Sequence, residues 1–395
     1  MSSATAAPVS TSGDTQNPGG FPHVPALDGI RGLAILLVLF HHLFVSNTQT
    51  GALLTDLFSR LHASSWIGVN IFFALSGFLI TGILVDTVHL PDFFKKFYAR
   101  RSLRIFPLYY AALFIILALT IPLGLHWNGW QYFYLTYSAN LAVTKTDPLQ
   151  LGPFNINHFW SLCVEEQFYI LWPFLVYKVR NIRKLISLTL ILSVVILCLR
   201  TWFVLRRAHF GTIYMPYSPT YSCADNLLLG CSLSLLIRTN MREKVLRLAP
   251  RVFSVTALIV VGFFIANRGL EWQSAIFLPT IGFSVIALMS TSLVACALRA
   301  RSLTQRFFES PTLRFFGKYS YGIYVFHYSL DNVFTTPIRV YLREHLHSKS
   351  LAVLGAAIVV FALTIPLALL SYHLFEVHFL KLKKYFGYAR SPTVA

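Results

Sequence analysis

Several runs of eighteen or more apolar residues interrupt this chain, and they leave little choice of fold. Ten apolar stretches lie at about 27–46, 66–86, 105–124, 158–177, 185–204, 222–237, 252–267, 274–297, 315–334 and 351–375. About 20 apolar residues wound as a helix cross a hydrocarbon layer ~30 Å thick, and a helix satisfies its own N–H and C=O groups there. The spacing predicts an all-α polytopic membrane protein of about ten transmembrane helices. Composition agrees, with 55% of the 395 residues hydrophobic and 12% charged. No repeat period stands out, and no segment between the stretches is large enough for a soluble core of its own.

The formal net charge of +18 invites a nucleic-acid reading, which the placement of the charges excludes. With loops assigned alternately to the two sides, one side collects Arg31, the cluster Lys95–Arg104, Lys178 to Lys184, Arg238 to Arg251, Arg299 to Lys318, and Lys381 to Arg390, most of the 33 Lys and Arg. The positive-inside rule makes that side cytoplasmic and places both termini there. An even number of spans is then required, as the count of ten provides. Anionic lipid is the secondary partner of this charge. Residues 1–24, rich in Ser, Thr, Ala, Pro and Gly, lack the basic and apolar regions of a signal peptide and read as a disordered tail. Residues 381–395 read as a basic cytoplasmic tail. The five cysteines fall in apolar segments without metal spacing and read as small core residues. No HExxH is present, and no metal is expected.

Four segments carry polar groups that an anchor does not need. In the first span Arg31 and His42 are eleven residues apart, hence on one helical face and ~16 Å apart along the axis. With Arg31 at the surface, His42 is expected near the middle of the layer, where ionisable groups mark sites. Asp28 caps this helix or pairs with Arg31. Arg101 and Arg104 share a face at the mouth of the third span and suit a phosphate-bearing ligand. Glu165 and Glu166 project about 100° apart, so at most one faces a given partner; a carboxylate bonded to His42 would make that histidine a competent general base. Tyr321, Tyr324 and His327, after Ser320, form an aromatic face ending in histidine that could line a channel. Each feature has a plainer reading as positive-inside anchoring, interfacial acid or packing. The constellation fits group transfer from a soluble phosphate-bearing donor to an acceptor across the membrane. It also fits a transporter or flippase that moves a glycan or small metabolite without chemistry, although no inverted repeat is visible.

The quoted residues resemble the acyltransferase 3 family of membrane-bound O-acyltransferases, which O-acetylate bacterial surface polysaccharides and related acceptors. The carriers are Leu27-Asp-Gly-Ile-Arg31-Gly with His42; Gly68-Val-Asn-Ile-Phe-Phe-Ala-Leu-Ser-Gly-Phe-Leu-Ile; Tyr98-Ala-Arg-Arg101-Ser-Leu-Arg104-Ile-Phe-Pro; Trp160-Ser-Leu-Cys-Val-Glu165-Glu-Gln-Phe-Tyr; and Ser320-Tyr321 with Tyr324 and His327. Five blocks in family order cover about 25–380. The resemblance implies that Arg31 and His42 are the family's Arg-x10-His pair, that Arg101 and Arg104 are its Arg-x-x-Arg pair near acyl-CoA, and that Glu165 is the acid of its Trp-Ser-Leu-x-x-Glu block. It implies acyl-CoA, most simply acetyl-CoA, as donor; a glycan or lipid-linked glycan as acceptor; and the bacterial cytoplasmic (inner) membrane as location. His41 stands where the family usually has an aromatic and ranks second to His42. Asn70 replaces a frequent Asp, and Cys163 a frequent Ser. Many members carry an extracytoplasmic SGNH hydrolase-like domain; the end of the chain about twenty residues after the last span implies that it lacks one.

Overall fold

The computed structural model describes residues 23–44, 53–125, 129, 131–142, 154–210, 218–270 and 276–388. Apart from His23 and Val24, the tail expected over 1–24 lies outside these residues, as does Arg390. Among these residues eleven helices of ten residues or more carry the fold: α1 (Pro25–Leu43), α2 (Leu53–Ser64), α3 (Ile67–Thr87), α4 (Phe93–Thr120), α5 (Trp160–Val179), α6 (Ile182–Phe210), α7 (Asp225–Leu236), α8 (Arg242–Ala266), α9 (Phe283–Ala297), α10 (Pro311–Leu346) and α11 (Lys349–Ser371). Each expected apolar stretch coincides with one of them, and no β-strand occurs among the described residues.

Among the described residues seven helical segments are long and apolar enough to cross a membrane. The helices that fall short are α5, with Glu165, Glu166 and Lys178 in its length; α7, only 12 residues long; and α10, amphipathic over 36 residues. All but one of the first eleven residues of α7 are buried. α7 is sheltered by its neighbours on nearly every side, so it meets little lipid and carries Asp225, Asn226, Ser232 and Ser234 buried.

Close helix contacts at glycine organise the bundle, on α1 at Gly29 beside Phe308 O and at Gly32 beside α10, and between α3 and α7. A Cβ on Gly32 would stand 1.9 Å from Leu313 O, and one on Gly317 would stand 1.8 Å from Asp28 O. On α3 and α7 a Cβ at Gly77 would stand 2.0 Å from Leu227 O, and one at Gly230 would stand 2.1 Å from Ala74 O. Small residues let helix backbones approach where lipid gives no hydrophobic drive to associate. The contacts run in the same direction along α1 and α10, from Asp28 beside Gly317 to His42 beside His327, so the two helices are parallel. Gly317→Ala is expected to force them apart and lower the melting temperature of the detergent-solubilised protein, since overpacking costs about 1–3 kcal/mol. Gly262, with nothing within 4 Å of its Cβ position, is the control: Gly262→Ala should not lower the melt and should raise it slightly, since Ala is favoured over Gly inside a helix by about 0.5–1 kcal/mol.

Buried polar clasps complete the core. Arg200 on α6 and Asp225 on α7 pair at 3.0 Å with 0% and 1% side-chain exposure. Arg200 also donates to Ser222 O at 2.6 Å, Ser284 Oγ at 2.6 Å and Thr280 O at 3.0 Å. Beside this pair Asn70 on α3 donates to Asn226 Oδ1 at 2.9 Å, so position 70 serves a helix contact. Cys163, Cys223, Cys231 and Cys296 are buried as expected of core residues, whereas Cys198 is exposed on the outer face of α6.

Candidate active site

A wide vestibule opens where the first turns of α1, α4 and α10 meet the last turns of α3 and α7. Its wall holds eight Lys and Arg (Arg31, Arg100, Arg101, Arg104, Arg238, Arg314, Lys318 and Lys383) against two acids, Asp28 and Asp86. Both acids are engaged. Asp28 accepts from Arg31 Nη1 at 2.7 Å and contacts His23 at 2.8 Å. Asp86 takes Arg238 in a two-point grip, Nε at 2.9 Å and Nη2 at 2.6 Å. The chamber therefore carries a strong positive field for an anionic ligand. The C-terminal segment closes one side: Arg100 donates to Lys383 O at 3.3 Å and lies 5.4 Å from the Tyr388 ring centroid.

A second cavity shares Arg31, Leu79, Arg101 and Arg104 with the vestibule and runs on between α3, α4, α5 and α10. Its sides are apolar (Val69, Phe72, Phe73, Leu75, Ile80, Ile105 and Leu162), with Ser76, Ser161, Glu165, Tyr169, Ser320, Tyr321 and Tyr324 as the polar exceptions. Pro107 lies one residue beyond the Arg101–Phe106 stretch on α4 without breaking the helix. Arg101 lies over the Tyr169 ring at 5.2 Å, and the Tyr169 and Ser76 hydroxyls bond each other. Glu165 faces this cavity, whereas Glu166 is buried outside it with Oε1 unpartnered among the described residues. One acid of the pair reaches the site, as the 100° offset requires. Tyr321 donates to Ile105 O at 2.5 Å.

The cavity ends at Ser161 and Tyr324, whose hydroxyls are 2.5 Å apart, and a cluster of histidines stands behind them. His158 and His327 ring centroids are 5.2 and 5.5 Å from that of Tyr324, and His42 is 4.9 Å from His327 and 4.5 Å from Tyr328. His42 lines neither cavity, and its ring is packed among these side chains. It occupies the last turn of α1, with Arg31 two turns from the start. Its imidazole partner is His327, not Glu165: Nε2 of His327 and Nδ1 of His42 are 3.2 Å apart. His41 turns to α2, with Nδ1 3.2 Å from His62 O.

Residues expected from sequence thus divide between three layers. Arg31, Asp28, Arg101 and Arg104 hold the basic mouth; Glu165, Ser320, Tyr321 and Tyr324 line the inner cavity; and His42, His41 and His327 stand beyond it. His158, Ser161, Ser76, Tyr169, Lys383 and Glu376 were not anticipated. Glu376, buried in a π turn over Tyr372–Glu376, is an electrostatic neighbour of Arg104, and such turns recur at functional sites. A histidine opening an apolar span, as His158 does, was the readable signal. Among the described residues no group of three His, Cys, Asp or Glu is placed to hold a metal ion.

A basic chamber feeds an apolar slot that stops at hydroxyls, and comparison with known proteins gives the family. A family model described as an acyltransferase domain matches residues 24–373. The chain belongs to this acyltransferase 3 family. It is 28% identical over 332 residues to a peptidoglycan O-acetyltransferase, OatA, of Listeria monocytogenes, covering 80% of this chain and 50% of that protein. It is 27% identical over 344 residues to the putative peptidoglycan O-acetyltransferase YrhL of Bacillus subtilis (80% and 50%), and 25% identical over 361 residues to the O-acetyltransferase OatA of Staphylococcus aureus (84% and 55%). The chain spans about half the length of these relatives. No solved structure matches it.

Proposed function

We propose that the protein transfers an acyl group, most simply acetyl, from cytosolic acyl-CoA to a hydroxyl of a cell-surface glycan. The carrying observation is the continuous path from a wall of eight cations to the Ser161–Tyr324 hydroxyls, with the His42–His327 pair directly behind. The donor's phosphates suit the guanidiniums of Arg101 and Arg104, which offer always-charged, forked donors. Its pantetheine arm and acyl group suit the apolar slot. Glu165 balances the charge of Arg101 beside it, and Arg31, held by Asp28, shapes the mouth.

His42 is the general base. The acceptor oxygen attacks the thioester carbonyl as its proton passes to the His42 ring; the carbon–sulfur bond breaks, and the proton leaves with the thiol of free CoA. The names of the relatives make peptidoglycan glycan the first acceptor to test. The reading includes a single membrane domain over about 25–380, about ten spans in the bacterial cytoplasmic membrane and both termini cytoplasmic. Supporting it, residues from five of the basic segments assigned to one side line a single vestibule.

Donor recognition is tested with two thioesters. For Arg104→Ala in proteoliposomes, KM for acetyl-CoA is expected to rise about 10–100-fold, as loss of a charged hydrogen bond worth about 1.5–3 kcal/mol predicts. KM for S-acetyl-N-acetylcysteamine, which has no phosphate, should not change. An equal rise for both thioesters, or for neither, contradicts phosphate recognition at this mouth.

A further inference from the structure

The histidine layer contains more order than a general base requires. A carbonyl oxygen only accepts hydrogen bonds, and Tyr324 O has two imidazole neighbours, His327 Nδ1 at 2.7 Å and His158 Nε2 at 2.9 Å. Each ring therefore carries its proton on the nitrogen facing that oxygen, and in the neutral imidazole the other nitrogen keeps a lone pair. For His327 this is Nε2, 3.2 Å from Nδ1 of His42. Nδ1 of His42 also stands 3.0 Å from Val38 O, another pure acceptor. Both neighbours are acceptors that share the one N–H on Nδ1 of His42, so its Nε2 is the basic nitrogen.

We propose that His327 is the positioning residue for His42. Its Nε2 lone pair holds the Nδ1–H of His42, and the Tyr324 carbonyl fixes His327 in the tautomer that can do so. This inference rests on His42 as the base proposed above. His327 lines neither cavity and is itself 0% exposed, so it is placed to act on the half-buried His42 rather than on substrate. The logic is that of any imidazole base whose second nitrogen is held by an acceptor: the hydrogen bond selects tautomer and orientation. An uncharged acceptor suits this depth, since a carboxylate there would add a buried charge. The device depends on the close α1–α10 packing, because the two rings come from residues 285 apart in sequence.

The test separates this role from simple support of the Tyr324 carbonyl. His327→Gln places an amide oxygen near the former Nε2 and keeps an acceptor for His42. His327→Asn keeps a donor near Tyr324 O but falls short of His42. Full-length protein in nanodiscs is assayed with acetyl-CoA and peptidoglycan glycan strands, with His42→Ala in parallel. The expected result is a kcat for His327→Gln about 10-fold or more above that of His327→Asn, with KM for acetyl-CoA unchanged in both; ten-fold corresponds to one hydrogen bond of ordinary strength. Asparagine equal to or better than glutamine, both variants at the unsubstituted rate, or a loss confined to KM overturns the proposal. When His42→Ala is inactive, such results overturn the role of His327 alone. An active His42→Ala overturns the base assignment itself.

Discussion

His42→Ala is expected to cut acyl transfer about 10²–10⁴-fold, the usual contribution of a positioned general base, and to leave the bundle assembled. The ring sits in the last turn of α1, away from the Gly29, Gly32 and Gly317 contacts that hold this helix against its neighbours. Its removal takes away a half-buried side chain bonded to Val38 O and His327, not a helix interface. Size-exclusion profile and melting temperature should therefore match the unsubstituted protein, while acetylated product falls to background. His41→Ala is the neighbouring control. That imidazole faces His62 O on α2, and its loss should reduce the rate far less.

The largest structural effect is expected at Arg200. Arg200→Leu leaves the Asp225 carboxylate, 1% exposed, without its counter-ion among α6, α7 and the turn before α9. Breaking one side of a buried pair typically costs about 3–5 kcal/mol, whereas removing both charges together costs much less. Arg200→Leu should lower the melting temperature sharply and reduce the folded yield, and Arg200→Leu with Asp225→Leu should recover part of the loss. Recovery stays incomplete because the Ser222 and Thr280 carbonyls also lose their guanidinium donors. A double variant no more stable than the single one would show that the pair is not the reason for the burial.

Periodicity and charge placement made much of this legible. Long apolar runs announce helices whatever their partners, because each satisfies its backbone alone. Arg101 and Arg104, three residues apart, share a face by helix geometry, and both line the mouth of the cavity. The offset of Glu165 from Glu166 follows from the same geometry. What could not be read is contact between distant segments. Nothing local to His42 names His327 as its neighbour, and a carboxylate was the natural guess for an imidazole partner. Gly29, Gly32 and Gly317 look like ordinary membrane glycines until the facing carbonyls are placed. The end of the cavity at Tyr324 likewise depends on α5 and α10 meeting, through the Tyr324 hydroxyl bond to His158 O at 2.7 Å.

The most direct test uses sealed inside-out membrane vesicles that carry the full chain and enclose peptidoglycan glycan strands. Acetyl-CoA labelled in its acetyl group is added outside, on the face to which the proposed topology assigns the vestibule. The account predicts base-labile label on luminal glycan with the unsubstituted protein and none above background with His42→Ala. Unlabelled glycan despite intact protein, or equal labelling in both, would contradict it.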